Sequence, residues 1–537
     1  MSPMTNGRVV FIAFEEFDNL GIRYLASLLS DAGYETMVID VRKDREEILK
    51  NLLTTNPILV GFSIVYQFYI SAFASLIAYF RKGGIGCHFT AGGQFASLRV
   101  RELYRIIPQL DSVIRFEGEF TLLEMVKCLS SGIDWHHLKS IAYQKDGTVI
   151  LNPLRPLVKD LDIFPFPKRS PLKEYALGKK FATLIAGRGC IHNCHYCNAK
   201  KFYAIPPGPV KRLREPELVV QEMDWLYHKM GCSVFLFQDD DFPVRSNYKN
   251  KWIIRFCSEI ERKKLTGKVV WKINCRPDEI GAENFSFMRD NGLFHVFMGI
   301  EDGTDEGLKL LNKHMTVEDC LRGINTLKRL GIGFDFGFML FQPDSSFRSI
   351  RDNLNFLSQI CDDGYTPVTF LKMLPFFETE IERKLRKEGR LKGEPGWLDY
   401  SFLDESLDRY YDLFEECLLD WLRSPDGFLN MSRWARNYVM LYSRFLKPSR
   451  DVTILSGKIT EIISEANKFL LSTMKEFSEQ FGSGYFSHGD HKEELRIVSE
   501  GIKSRHSNFK KQINNCINQL FNFYEGNRKD HSFAERH

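Results

Sequence analysis

Short apolar strand patterns alternate with amphipathic helical patterns twice along this chain, and that alternation admits few folds. In the first 130 residues, strand patterns fall at Val9–Phe14, Glu35–Asp40, Ile58–Val65, His88–Gly92 and Val113–Phe116. Helical patterns at Leu20–Ala32, Arg45–Leu53 and Ile70–Phe80 lie between them, with Gly33 as the stop of the first, and Glu119–Leu129 closes the run. Ile58–Val65 is continuously apolar, as expected of a strand covered on both faces. The pattern predicts an α/β fold whose first domain is a doubly wound parallel sheet, flavodoxin- or Rossmann-like. No G-x-G-x-x-G follows the first strand, so the dinucleotide fingerprint is missing.

From Phe181 the alternation restarts. Strand patterns at Phe181–Ala186, Ser233–Gln238, Val269–Cys275, His295–Ile300, Phe334–Leu340 and Val368–Met373 predict six βα units. They read as a partial (β/α)6 TIM-like barrel, a fold that places its chemistry at the carboxyl ends of the strands. Between the two runs, Ser140–Asn152 is expected to form a hairpin around Asp146-Gly147. Five prolines between Pro153 and Pro171 then suggest an extended strap. After about residue 385 the strand patterns stop. Helices are expected at Leu407–Leu422, Trp434–Phe445, Ile459–Phe481 and Phe509–Phe523, with a frayed polar end at Asn527–His537. The expected domains are therefore 1–135, a hairpin and linker at 136–180, a barrel at 181–385 and a helical domain at 386–537.

A chain of 537 residues buries enough surface to fold without disulfides. Its net charge of +4 is too small to argue for a nucleic-acid partner. Asn51–Phe80 carries no charge, but Asn56, Pro57 and Gln67 interrupt it. It reads as a strand followed by a helix burying Ile70, Phe73, Ile77 and Phe80, rather than as a membrane span. Met1–Arg8 has no basic start leading into an apolar run, so a cytoplasmic protein is expected. Nine of the twelve cysteines are scattered singly, the usage of a reducing compartment.

The other three cluster as Cys190, Cys194 and Cys197, in the spacing C-x-x-x-C-x-x-C, with Tyr196 before the last. Three thiolates so close together can hold one metal centre, and soft thiolates select iron–sulfur clusters or zinc. Structural zinc wants a fourth ligand, and His192 and His195 interleave the cysteines too tightly to converge easily. A [4Fe–4S] cluster on three cysteines leaves one iron open to a substrate.

This motif, just past the first barrel strand, resembles the radical S-adenosylmethionine (radical SAM) superfamily. The resemblance implies a [4Fe–4S] cluster on Cys190, Cys194 and Cys197, with SAM chelating the open iron and Tyr196 beside it. Gln238-Asp239-Asp240-Asp241 stands where many members carry Gly-Gly-Glu. Asp239 and Asp240 are the candidates to accept from the SAM ammonium; a solvated acidic turn or helix cap is the other reading. Arg276 is a candidate partner of the SAM carboxylate, or a member of an ordinary salt bridge. Met298-Gly299-Ile300-Glu301-Asp302-Gly303, followed by Leu308 and Lys313, is similar to a G-I-E-S-G pattern of one subgroup. It implies Glu301 at the barrel mouth near SAM, with a packed βα turn as the alternative; Asp302 stands where that subgroup has Ser.

A doubly wound domain ahead of such a barrel resembles the cobalamin-binding subgroup. Leu20–Ala26, Val60–Ser63, Ala91–Gly93 and Phe116–Glu119 match its pattern. The implied cobalamin contacts are Ser63, Tyr66, Gly92, Gly93, Glu117, Gly118 and Glu119. Each glycine alone also reads as turn geometry, and Tyr66 as a rim tyrosine; Gln67 is a second residue expected near the cobalt. No D-x-H-x-x-G is present and the first histidine is His88, so cobalamin is expected to bind without a protein imidazole.

The resemblance implies a cobalamin-dependent radical SAM methyltransferase acting on an unactivated carbon, or phosphorus, of a small-molecule or natural-product substrate. A 5′-deoxyadenosyl radical would take a hydrogen, methylcobalamin would deliver the methyl, and a second SAM would remethylate the cobalamin. Both cofactors are expected to share one cavity, with flavodoxin or ferredoxin supplying electrons. The alternative keeps both cofactors and ends in ring contraction, cyclisation or oxidation. Methylthiotransfer would need cluster cysteines in the amino-terminal domain, where only Cys87 and Cys128 lie. A non-catalytic sensor fits poorly with a complete barrel pattern.

Overall fold

The computed structural model describes residues 7–15, 18–244, 251–446, 449–487 and 491–534. The chain divides into two compact units, one of residues 1–172, 182–222 and 374–400, the other of 173–181, 223–373 and 401–537.

The first unit is built on a seven-stranded sheet of β1 (Arg8–Ala13), β2 (Glu35–Asp40), β3 (Leu59–Ser63), β4 (His88–Gly92), β5 (Ser112–Ile114), β6 (Ile141–Lys145) and β7 (Thr148–Leu151). Its order is β2-β1-β3-β4-β5-β6-β7. The first five strands are parallel, and the expected hairpin adds β6 and β7 antiparallel to that sheet beside β5. Asp146 and Gly147 both have positive φ, the requirement of a tight hairpin turn. Successive side chains of a strand point to opposite faces, which explains the unbroken apolar strands. Val10 and Ile12 pack with the helices Arg45–Thr55 and Ile70–Lys82, whereas Val9, Phe11 and Ala13 pack with Leu20–Asp31 and Glu119–Ser130. Ile70–Lys82 buries Ile70, Phe73, Leu76, Ile77 and Phe80, so the uncharged stretch is core. Among the described residues no helix is long and apolar enough to cross a membrane.

Two smaller pieces complete this unit. Gly187–Arg188 pairs antiparallel with Arg212–Leu213 in a two-residue ribbon. Beyond residue 385, where strand patterns end, Leu391–Glu394 and Trp397–Tyr400 nevertheless pair as a hairpin. Its strands are mostly exposed and lack the apolar alternation by which sequence betrays a strand.

A curled half-barrel sheet, most of it in the second unit, has the order Gly333–Phe338, Leu293–Glu301, Val270–Cys275, Cys232–Phe237, Lys179–Leu184, Glu174–Ala176. Glu174–Ala176 joins antiparallel. The sixth barrel strand expected at Val368–Met373 does not form. That segment makes one parallel bridge, Phe341 to Lys372, and a few backbone hydrogen bonds. Pro367 and Pro375 bracket it and can donate nothing to a ladder. Helices Glu405–Leu422, Phe428–Phe445, Arg450–Gly482 and Lys492–Ala534 follow. The last runs on past Asn527, where fraying was expected, to Ala534. Ile502, Phe509, Ile513, Cys516 and Leu520 bury one stripe of it at helical spacing.

Candidate functional site

The three clustered cysteines lie in a loop of the first unit, between the Gly187–Arg188 ribbon strand and the helix Ala199–Ala204. Glycines let the backbone pass there. A Cβ on Gly187 would lie 2.4 Å from the Arg212 carbonyl oxygen, and one on Gly189, whose φ is +87°, 2.0 Å from that of Val210. The Cys197 N–H donates to the Cys194 carbonyl at 3.1 Å, and the Ala199 N–H donates to Cys197 Sγ at 3.5 Å. Cys190 and Cys194 are half-buried, Cys197 is exposed, and none is in a disulfide. Burial pushes the thiols of Cys87 and Cys320 up, to about 11 and about 12, so they stay protonated at neutral pH. A triplet of soft donors on one short loop, none of them in a disulfide, fits an iron–sulfur cluster.

The carboxyl ends of β3 and β4 lie side by side in the same unit. Ser63 pairs in register with Gly92, and the Ile64 N–H donates to the Gly92 carbonyl at 2.8 Å. Gly93 has a φ of +109°, and a Cβ there would lie 2.7 Å from the Ile64 carbonyl oxygen. Ser97 Oγ donates to the Gly93 carbonyl at 2.8 Å and accepts the Phe116 N–H at 2.7 Å, so one hydroxyl ties the two loops together. Gly118 has an ordinary negative φ. Tyr66 is 48% exposed and stacks on Phe68. Small residues and an open aromatic ring at strand ends fit a flat, bulky ligand such as a corrin.

Gln67, by contrast, is buried and engaged. Its Nε2 donates to the Pro375 carbonyl at 3.2 Å, and its Oε1 accepts the Phe377 N–H at 2.9 Å. The segment Leu374–Tyr400 is therefore stitched to the sheet through Gln67 and through the Arg99–Glu382 ion pair at 2.6 Å. It is stitched to the cysteine loop as well. Asn198 Nδ2 donates to the Phe377 carbonyl at 3.2 Å, and the Ile381 N–H to the His195 carbonyl at 3.3 Å. These partners are more than 170 residues apart in sequence, and no local pattern announces them.

His88 begins β4, at the end opposite Gly92, and its ring hydrogen-bonds Ser112 Oγ at 2.8 Å. Burial lowers its pKa to about 4. Among the described residues of β1–β5 and the turns after them, no imidazole lies at the ligand edge. The cob(II)alamin state is therefore expected to show no protein-nitrogen hyperfine splitting in electron paramagnetic resonance. Clear splitting from an axial imidazole would overturn this, as would failure to retain cobalamin.

Glu117 and Glu119 sit in arginine pairs. Glu117 Oε1 lies 3.1 Å from Arg188 Nη1 and 2.8 Å from Arg212 Nη1, and its Oε2 accepts the Val158 N–H at 3.1 Å. Glu119 Oε1 lies 2.6 Å from Arg188 Nη2. A second buried network, also unseen in sequence, joins Arg169 to Asp18 and Glu222, and Arg214 to Glu222 and Asp162.

In the second unit the strand ends carry the remaining candidates. Glu301 closes its strand at a bulge with a φ of +74°. Its carboxylate covers two glycines: a Cβ on Gly299 would lie 2.8 Å from Oε1, and one on Gly337 3.1 Å from Oε2. Lys313 Nζ donates to the Gly299 carbonyl at 2.9 Å and stands 3.8 Å from Glu301 Oε1. Asp302, in the position of the subgroup's Ser, turns into the fold instead. It accepts from Thr304 N–H and Oγ1 at 2.8 and 2.7 Å and from Gln342 and Asn353. Burial raises its carboxyl above the usual range. Arg276 Nε donates to Asp278 Oδ1 at 2.8 Å, and Nη2 to the Lys313 carbonyl. Asp239 is buried and Asp240 exposed after Cys232–Phe237. Carboxylates and a guanidinium at neighbouring strand ends match the ammonium and carboxylate of an amino-acid-like ligand. Tyr196 is half-buried in the cysteine loop.

Comparison with known proteins agrees with this geometry. Residues 184–357 match the model of the radical SAM superfamily, and residues 9–126 that of the B12-binding domain. The chain is 25% identical over 363 residues to an uncharacterized methyltransferase of Pyrococcus horikoshii, covering 66% of this chain and 76% of that protein. It is 27% identical over 348 residues to the anaerobic magnesium-protoporphyrin IX monomethyl ester cyclase of Rubrivivax gelatinosus, covering 62% and 60%. Among solved structures, the cobalamin-dependent S-adenosylmethionine radical enzyme OxsB superposes with a TM-score of 0.66 at 17% identity, over 98% of this chain and 81% of that one. The radical S-adenosylmethionine methyltransferase TsrM of Kitasatospora setae superposes with a TM-score of 0.60 at 17% identity, over 72% and 79%. At such identities the structural likeness speaks for the fold alone.

Proposed function

Because this chain belongs to the radical SAM superfamily and carries a B12-binding domain ahead of its barrel, we propose that it is a methyltransferase acting on an unactivated carbon, or phosphorus, of a small molecule. The observation that carries the reading is a three-thiol loop in the same compact unit as a sheet whose described strand ends and following turns, β1–β5, carry no imidazole. An edge without an axial imidazole suits methyl loss as a radical rather than as a cation. Cys190, Cys194 and Cys197 hold the cluster. Tyr196, Asp239, Asp240, Arg276 and Glu301 are the proposed SAM contacts, and Ser63, Tyr66, Gly92, Gly93 and Gly118 the cobalamin contacts. Bound together, these groups supply one electron, a hydrogen-abstracting radical and a transferable methyl. The protein orients them and excludes water from the radicals. A cytoplasmic flavodoxin or ferredoxin is the proposed electron donor.

The similarity to a cyclase supports a second reading, in which the substrate radical is cyclised, rearranged or oxidised without methyl transfer. Product analysis separates the two. In anaerobic turnover, methyl transfer is expected to consume two SAM per product, giving one 5′-deoxyadenosine and one S-adenosylhomocysteine. Deoxyadenosine without S-adenosylhomocysteine, and a product with no added methylene mass, would overturn methyl transfer in favour of the second reading.

A further inference from the structure

We propose that Arg188 is a positioning residue that sets the cluster-binding loop against the cobalamin edge of the amino-terminal sheet. The proposal rests on the reading above, since it presumes that both cofactors bind.

Arg188 lies two residues before Cys190, in a ribbon only two residue pairs long. So short a ribbon leaves the direction of the loop underdetermined. The side chain of Arg188 supplies what is missing. Its two terminal nitrogens reach two carboxylates two residues apart, Nη1 to Glu117 at 3.1 Å and Nη2 to Glu119 at 2.6 Å. Its guanidinium also lies 5.5 Å from the Tyr24 ring centroid and 5.3 Å from that of Phe164, which restricts its rotation. Arg212, the register partner of Arg188 across the ribbon, is held by the same Glu117. One turn therefore grips both ribbon strands.

That turn is itself tied to the ligand edge. Phe116 has a φ of +64° and is held by Ser97, whose hydroxyl also holds the Gly93 carbonyl. Connected contacts thus run from Gly93 through Ser97, Phe116, Glu117 and Glu119 to Arg188, two residues before Cys190. Two carboxylates face two guanidiniums, so the buried charges balance. The planar fork of arginine can span both carboxylates, whereas a lysine ammonium is a single point charge on a flexible stem. Glu117 and Glu119 are thereby assigned to loop placement rather than to corrin contact.

The test uses full-length, anaerobically reconstituted protein with Arg188→Met and Arg188→Lys. Iron and cobalamin content are measured first, followed by the dipolar coupling between cob(II)alamin and the reduced cluster in pulsed electron paramagnetic resonance. The wild type is expected to show one narrow coupling. Arg188→Met is expected to keep both cofactors but lose the single coupling, and Arg188→Lys to broaden it. An unchanged coupling in Arg188→Met and Arg188→Lys would overturn the proposal. So would equal loss of both cofactors and of melting temperature in both variants, the signature of a merely structural ion pair. Wild-type protein that retains no cobalamin or no cluster would instead refute the proposed function, and the placement role with it.

Discussion

Anaerobically reconstituted Cys194→Ala protein is expected to lose the visible absorption of its cluster and all SAM cleavage, and Cys190→Ala and Cys197→Ala to do the same. The three sulfurs lie on one eight-residue loop that begins just after Gly189, where an added Cβ would lie 2.0 Å from the Val210 carbonyl oxygen. A cluster bound by three thiolates has no spare protein ligand among them, so one deletion removes a third of its anchorage. Cys87→Ala is the matched control. Cys87 lies elsewhere in the same unit, and its thiol is pushed up to about 11, so it is protonated and a poor metal ligand. Iron analysis and absorption decide the outcome. About four irons per chain retained by Cys194→Ala would overturn the assignment, as would zinc in place of iron in the wild type.

Replacing Glu222 by Gln is expected to lower folding stability by about 3–5 kcal/mol, the usual cost of breaking a buried ion pair from one side. Glu222 is fully buried, with Oε1 2.8 Å from Arg169 Nη2 and Oε2 2.8 Å from Arg214 Nη1. Arg169 is 1% exposed at its side chain. An amide cannot neutralise two guanidiniums, and neither has water to fall back on. The surface pair Arg8–Glu35, at 2.6 Å but 33% and 44% exposed, provides the contrast. Glu35→Gln is expected to cost less than about 1 kcal/mol, because solvent screens the pair. Denaturant unfolding of the cofactor-free chain measures both. Equal, small effects for Glu222→Gln and Glu35→Gln would show that the buried network contributes nothing to the fold.

These two expectations come from different sources. The cysteine motif was readable in the chain because its residues are local: the preceding strand, the glycines and the spacing all lie between Phe181 and Cys197. Glu222 looked like any helical glutamate, since its partners lie 8 and 53 positions away. Glu117 and Glu119 were legible as a turn after β5, but sequence resemblance pointed them at the corrin, and the structure brings them to Arg188 and Arg212. Gln67 was expected near the cobalt and instead anchors Pro375 and Phe377.

What the sequence determined by itself is what periodicity and spacing encode. It specified five parallel strands with helices on both faces, the β6–β7 hairpin, five of the six strands of the half-barrel sheet and the three-thiol loop. Apolar alternation and metal-ligand spacing are short-range signals, set by the two-residue and 3.6-residue repeats of the backbone. Tertiary structure alone decided that Val368–Met373 fails as a sixth strand and that Leu391–Tyr400 pairs as a hairpin. It alone also joined Leu374–Tyr400 to both the sheet and the cysteine loop, and matched each buried arginine to its carboxylate. Those outcomes depend on which distant groups share a desolvated space, where an unpaired charge or hydrogen-bonding group is costly.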